Sequence, residues 1–398
     1  MRIGVYGGTF NPPHNGHIAA ARAAVAQMGL DKLLLVPANV PPHKHLPPGS
    51  ADPSQRFAMA ELAAGAVGKL AEACDIELRR TGKSYTSDSL RQLHDQYPSD
   101  ELWLLMGSDM FLSLHTWHEP EVICGLAGIA AFSRVTTGAE ADFAAQKTFL
   151  EREFGARVQL LENPAVQVLS STDVRAALAM GEGLTLVPTA IGGYILREQL
   201  YGTCTDLKHL TPDALRPIAM SYLKPKRMPH VLGTEQEAVR LAGRYGADET
   251  DARVAALLHD CTKKLDMPQQ LALCRQYGIV LDELEQRALK LLHSRTGAAL
   301  ARDVFGVSDA VFDAIRWHTT GHAGMTLLEK IIYLADYIEP TRDFEGVAPL
   351  RVLAYEDLDR AVLLGLTMTI REMEEMGNPV HHYTLDARND LIEKGVTL

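Results

Sequence analysis

The sequence predicts a doubly wound parallel α/β sheet followed by an all-α second half. Three observations lead there. Residues 3–6 and 32–36 read as short apolar strands separated by an Ala-rich helical run that ends at Gly29. That βαβ rhythm belongs to a parallel sheet covered on both faces, with ligands expected at the carboxyl ends of its strands. Past residue 205 the strand signals stop and stretches of helical period take over. At 398 residues the chain is comfortable for two domains, and 1–204 and 205–398 are the expected halves.

Composition narrows the function classes. The chain is 46% hydrophobic and 22% charged, which suits ordinary globular cores. A net charge of −11 argues against a nucleic-acid partner, because phosphate backbones favour basic patches. Five cysteines, scattered and without a C-x-x-C, suit reduced thiols in the cytoplasm. The chain enters a strand at once, which leaves no room for a signal peptide. No apolar run approaches the roughly 18 residues of a membrane span, so no membrane partner is expected. Nothing in the composition signals an oligomeric state.

The first half is organised around residues 1–19, MRIGVYGGTFNPPHNGHIA. The first strand runs into Gly7-Gly8-Thr9, a Pro-rich loop follows, and His14-Asn15-Gly16-His17 opens a helix. Two glycines let backbone approach a ligand, and a helix start offers free N–H groups and a positive dipole end. Such a site suits a phosphate chain. A dinucleotide fingerprint would need G-x-G-x-x-G, which Gly7-Gly8 does not supply. A P-loop fails too, because Glu77 stands five before Gly82-Lys83-Ser84. The remaining pattern, G-G-T-F-N-P-P-H-N-G-H, resembles the HxGH nucleotidyltransferases, and within them the bacterial nicotinate-nucleotide adenylyltransferases.

That resemblance implies a Rossmann-like nucleotidyltransferase fold with Gly7, Gly8, Thr9 and Phe10 against ATP and His14 and His17 as donors to phosphate. Pro41-Pro42-His43-Lys44 reads by composition as solvated surface, whereas the resemblance gives Lys44 to substrate phosphate. Arg56 and Met59 occupy the family's R-x-x-M element. Residues 84–90 open a helix with hydroxyls suited to capping, and the resemblance places Thr86 near the nicotinate carboxylate. After a strand at 102–106, Gly107-Ser108-Asp109 is a common turn; the family holds adenosine there through Gly107 and Asp109. Trp117 reads unaided as core, but the resemblance stacks it on the nicotinate ring. A strand at 127–132 leads to Arg134, a family position near adenine.

Residues 170–175, S-S-T-D-V-R, begin another capped helix with Arg175 as a guanidinium fork. Together with Ser171 and Thr172, this second helix start is expected to clamp the same triphosphate. The likeness runs on to Tyr201. It implies that the 5′-phosphate of nicotinate mononucleotide attacks the α-phosphorus of ATP and pyrophosphate leaves. No activated nucleophile stands in the sequence, so direct in-line transfer is expected. Lys44 and Arg175 would hold phosphates, His14 and His17 would stabilise charge, and Mg²⁺ would bridge.

Residues 202–210 lack apolar periodicity and 212–229 are broken by prolines, which marks the junction. Residues 251–258 carry Val254, Leu257 and Leu258 at helical spacing and end in His259-Asp260; residues 326–338 do the same around Ile331, Ile332 and Leu334, with Asp336. Any single histidine here reads best as a core residue. The ordered set His230, His259, Asp260, His293, His318 and Asp336 suits divalent first-row metals. It resembles the HD-domain metallohydrolases. The motifs at 230–234, 259–263, 318–321 and 334–340 resemble one branch of them, the symmetrical dinucleoside-tetraphosphatases.

This second resemblance implies cleavage of diadenosine tetraphosphate into two ADP. His230, His259, Asp260 and Asp336 would hold one metal, and His293 and His318 a second bridged by Asp260, with iron expected. Lys263 would meet substrate phosphate. His322, His381 and His382 are left out of the set. Other readings stay open at this point. The first half could take nicotinamide mononucleotide or phosphopantetheine, or sense nucleotides without catalysis. The second could be a different nucleotidase or a non-catalytic HD regulator.

Overall fold

The computed structural model describes residues 1–41, 46–133, 139–162 and 169–398. The chain forms two compact units, Met1–Cys204 and Thr205–Leu398. No helix among the described residues is long and apolar enough to cross a membrane.

The first unit is built on strands β1 (Arg2–Gly8), β2 (Lys32–Pro37), β3 (Ala71–Ala73), β4 (Glu101–Gly107), β5 (Ala127–Ser133) and β6 (Val158–Glu162). They pair in parallel in the order β3-β2-β1-β4-β5-β6. The doubly wound sheet is therefore present, and its order reverses between β1 and β4. Leu33, Leu34, Leu35 and Val36 are buried in succession, as expected for a strand covered on both faces. The edge strands β3 and β6 escaped the sequence reading because they are short and carry polar residues.

Helices α1 (Asn15–Met28), α2 (Pro53–Val67) and α3 (Thr86–Gln96) make the crossovers on one half of the sheet. Short α4 (Ser108–Ser113) and α5 (Pro120–Leu126), then α6 (Ala139–Phe154), serve the other, and α7 (Ser171–Ala179) and α8 (Thr189–Arg197) close the unit. Gly29 ends α1 with a left-handed φ of 57°, which glycine adopts without steric cost.

The second unit is helical. It begins with α9 (Pro212–Ser221), α10 (Met228–Tyr245), α11 (Glu249–Leu258) and α12 (Met267–Gln276). Next come α13 (Leu289–Phe305), α14 (Asp309–Trp317) and α15 (Leu327–Ile338). The last helices are α16 (Val347–Glu356), α17 (Leu358–Glu375) and α18 (His382–Glu393). Helix α11 is the central one: Ala252, Ala255, Ala256, Leu257 and Leu258 are all fully buried. It packs on α9, α10, α14 and α15. A helix covered on so many sides delivers the residues after its C-terminus to the middle of the bundle.

Candidate functional sites

In the first unit, α1 starts at the carboxyl end of β1 with His14 as its N-cap. His14 is buried and its ring lies 3.8 Å from that of His17. The His14 backbone N–H donates to Nδ1 of His17 at 3.2 Å, so neutral His17 carries its proton on Nε2. Burial pushes the His14 imidazole down to about 4; burial first and neighbouring His14 second hold His17 well below 6.5. Both rings are neutral donors at pH 7. Phe10 packs edge-on against His17 from a left-handed backbone position, φ 49°.

The start of α7 meets the same loop. Ser171 donates to the carbonyl of Pro12 at 3.1 Å and Arg175 to that of Asn11 at 2.8 Å, while Thr172 Oγ1 lies 3.3 Å from the Arg175 guanidinium. Tyr201 donates to Asn11 Oδ1 at 2.8 Å from the end of the unit. Two helix N-termini, far apart in sequence, thus converge on residues 11–14.

Beside them, at the reversal between β1 and β4, lies a cavity of about 220 Å³ lined by Gly7, Gly8, Thr9, Thr86, Gly107 and Trp117. Trp117 packs partly on the core and also lines this cavity. Asp109 is exposed on the first turn of α4 and is not among the lining residues. Lys44 and Arg134 lie outside the described residues. Helix capping by the hydroxyls at 84–90 does not occur: α3 has Tyr85 at its N-cap with no side-chain bond. Instead Ser89 donates to Glu77 at 2.6 Å and receives Arg80 at 2.7 Å, and Ser84 receives the Asn39 N–H at 2.9 Å.

Two residues of this unit gain roles the sequence did not suggest. Glu77 is a buried carboxylate in the cavity wall, raised by burial despite hydrogen bonds from Ser89 and Ser84. Arg56 is fully buried and donates to the carbonyls of Thr9 at 3.1 Å, Asn39 at 3.0 Å, and Ala38. It ties the loops after β1 and β2 together. A buried arginine with only backbone acceptors leaves no periodic signal in a sequence.

In the second unit, α10 supplies His230, the turn after α11 His259 and Asp260, α13 His293, the end of α14 His318, and α15 Asp336. All six come together. Their ligand atoms form three overlapping groups, each within 4.8 Å: His230 with His259 and Asp260, His259 with His318 and Asp336, and Asp260 with His293 and His318. Lys263 joins them, with Nζ 3.2 Å from Asp260 Oδ1 and 3.3 Å from His293 Nε2.

Every imidazole is oriented by an acceptor behind it. Nδ1 of His259, His293 and His318 donates to the carbonyls of Ala256, Lys290 and Ile315 at 2.6, 2.8 and 2.7 Å. Nδ1 of His230 donates to Glu339 at 2.9 Å. Each Nε2 is left to face the cluster, and the Nε2 atoms of His230 and His259 are 3.4 Å apart, those of His293 and His318 3.1 Å. Imidazole nitrogens that converge so closely suit a cation between them, and the buried Asp260 Oδ1 beside them has no well-aligned hydrogen bond, with Lys263 and His293 at 3.2 and 3.3 Å. The donor set fits divalent cations, and backbone-fixed tautomers are the usual support of such ligands.

Burial alone would raise Asp260, but His259, His293 and Lys263 outweigh it and hold the carboxylate well below 3.8. His259 is lowered to about 4, chiefly by burial. Glu339, Arg227 and Arg342 were not read from the sequence as members of this site. Arg227 Nε lies 2.5 Å from Asp260 Oδ2, and Arg342 donates to Asp336 Oδ1 at 2.8 Å. A fourth group, Asp282 with His381 and His382, lies elsewhere in the unit. There Nδ1 of His381 accepts the Tyr383 N–H, so its Nε2 carries a proton and offers no lone pair.

Comparison with known proteins divides along the same lines. Residues 5–177 match the cytidylyltransferase-like family and residues 227–341 the HD domain family. Over 220 residues the chain is 39% identical to the "Probable nicotinate-nucleotide adenylyltransferase" of Shewanella sp. (strain W3-18-1), spanning 50% of this chain and 99% of that protein. Over 177 residues it is 39% identical to the symmetrical bis(5′-nucleosyl)-tetraphosphatase of Halalkalibacterium halodurans, spanning 43% of this chain and 91% of that one. A solved structure from Clostridium acetobutylicum, described as a "predicted HD superfamily hydrolase involved in NAD metabolism", is 44% identical with a TM-score of 0.45. That match covers 46% of this chain and 98% of the other.

Proposed function

The chain belongs to the nicotinate-nucleotide adenylyltransferase family in its first half and to the HD family of symmetrical tetraphosphatases in its second, and from that premise we propose a bifunctional enzyme. The first half transfers AMP from ATP to nicotinate mononucleotide, giving deamido-NAD and pyrophosphate. The second hydrolyses diadenosine tetraphosphate to two ADP. The observation that carries the second activity is the set of backbone-fixed imidazoles with facing Nε2 atoms around Asp260. For the first, it is the convergence of two helix starts beside a glycine-lined cavity.

In the adenylyl transfer, ATP enters as its magnesium complex. The α1 and α7 N-termini and Arg175 hold the phosphate chain, with Lys44 and Ser171–Thr172 assisting. His14 and His17 donate to the α-phosphoryl oxygens, where charge builds in the transition state. Thr86 meets the nicotinate carboxylate, Trp117 covers the ring, and Gly107, Asp109 and Arg134 hold the adenosine. Neither histidine has to change its protonation state, because a phosphate nucleophile is already ionised.

In the hydrolysis, His230, His259, Asp260 and Asp336 would hold one divalent cation, and His293, His318 and Asp260 would hold a second; iron is the expected metal. When bound, such a pair acidifies a shared water and stabilises both oxygens of the displacement. Lys263 neutralises the polyphosphate. The free cysteines suit work in a reducing cytoplasm.

One preparation tests both halves. Magnesium ATP with nicotinate mononucleotide should give deamido-NAD, and diadenosine tetraphosphate with iron or manganese should give ADP alone by mass spectrometry. AMP plus ATP from the second reaction would overturn symmetrical cleavage. No turnover with iron, manganese or cobalt would overturn the hydrolase.

A further inference from the structure

Three basic side chains rim the histidine–aspartate cluster of the second unit. Arg227, Lys263 and Arg342 keep 25%, 37% and 32% of their side-chain surface, whereas Asp260 keeps none. Arg227 reaches furthest in. Its Nε takes Asp260 Oδ2 at 2.5 Å, the same oxygen that lies 3.5 Å from His259 Nε2 and 3.9 Å from His230 Nε2. One guanidinium nitrogen of Arg227, Nη2, is buried without a hydrogen bond, 3.7 Å from Asp336 Oδ1.

The guanidinium therefore sits on the carboxylate oxygen that a cation between His230 and His259 needs. A divalent cation bound to that oxygen would repel a guanidinium held 2.5 Å from it and weaken its hold. An arginine released from a carboxylate is a planar fork whose donors match phosphate oxygens two at a time.

We infer that Arg227 is a phosphate-binding residue held in reserve by Asp260: a divalent cation displaces its guanidinium, which then donates to the polyphosphate of a nucleotide substrate. Arg342, paired with Asp336 on the same rim, makes the second such exchange. The inference rests on the polyphosphate-hydrolase reading of this site. It adds that cation and nucleotide bind cooperatively through a side-chain exchange, so each raises the affinity for the other.

The test uses the full chain with the first unit's site saturated by deamido-NAD, Mn²⁺ as metal and ADP as the probe that is not turned over. Mn²⁺ binding without nucleotide is followed by the free-ion EPR signal, and ADP binding by calorimetry with and without stoichiometric Mn²⁺. For Arg227→Ala, Mn²⁺ should bind as tightly as before or tighter, because a competitor for Asp260 is gone. Mn²⁺-dependent ADP binding should weaken about tenfold or more, the range of a lost charge-assisted hydrogen bond. Metal-free ADP binding should not change, since Arg227 is then occupied by Asp260. Arg342→Ala repeats the test should Arg227→Ala fail to fold.

Tenfold weaker Mn²⁺ binding in the variant would make Arg227 a structural support and overturn the inference. Unchanged Mn²⁺-dependent ADP binding would overturn it too, with the hydrolase reading intact. Absence of any Mn²⁺-dependent ADP binding in the unmodified protein would overturn both.

Discussion

Nδ1 of His230 donates to Oε1 of Glu339 at 2.9 Å, and the room for that carboxylate is the missing side chain of Gly233. A Cβ at Gly233 would stand 2.5 Å from Glu339 Oε2. Glu339 is fully buried and further held by the backbone N–H of Thr341 at 2.6 Å. An imidazole braced in this way is fixed in tautomer and direction before any cation arrives.

Gly233→Ala should therefore act on metal binding from a distance. Displacing Glu339 leaves His230 without its acceptor, and loss of such a support typically costs about 10–100-fold in metal affinity. Titration with Mn²⁺ measures it directly. Glu339→Gln should move affinity the same way by less, since an amide oxygen still accepts the Nδ1 proton.

His17→Ala removes a donor aimed at developing phosphoryl charge. By analogy with a lost oxyanion-hole donor, turnover in adenylyl transfer should fall roughly 10²–10³-fold, or about 3 kcal/mol. Steady-state kinetics on a variant with unchanged circular dichroism decides the point. A loss below about tenfold would remove His17 from that role.

Acid should weaken the first unit through the same pair. Folded His14 stays neutral down to about 4, and His17 is held well below its ordinary 6.5 as well. In the unfolded chain both take up protons as pH falls through 6.5. Between those values the unfolded state binds more protons, so stability is complete above 6.5 and is lost as pH falls towards 4. The melting temperature should drop between pH 7 and pH 5, and less steeply in His14→Gln. In the metal-free protein His259 and His318 add a slope of the same sign, which the variant leaves in place.

Arg56→Ala should destabilise the first unit more than any exposed arginine change. It leaves the carbonyls of Thr9, Ala38 and Asn39, all on half-buried residues, without their donor. At about 1.5–3 kcal/mol for each hydrogen bond to a charged group, a loss of roughly 3 kcal/mol or more is expected. Urea denaturation followed by circular dichroism measures it.

Sequence alone determined the fold class of each half. Apolar runs such as residues 32–36 can be satisfied only as strands covered on both faces, and the residues of α11 only as a helix inside a bundle. Residue types in a particular order also named the six metal-ligand candidates and the two helix starts. Short-range physics reaches that far, because periodicity and local chemistry are written in neighbouring residues.

Only the tertiary structure decided which side chains support these candidates. Edge strands β3 and β6, the backbone clamp of Arg56, the Glu77–Ser89 pair and the brace from Glu339 to His230 depend on contacts between distant segments. His230 and Glu339 are 109 residues apart, and Asn11 and Arg175 are 164 apart. Nothing in either neighbourhood marks the partner. A polar side chain is placed by what the chain buries it against, and that is settled when the helices and strands pack.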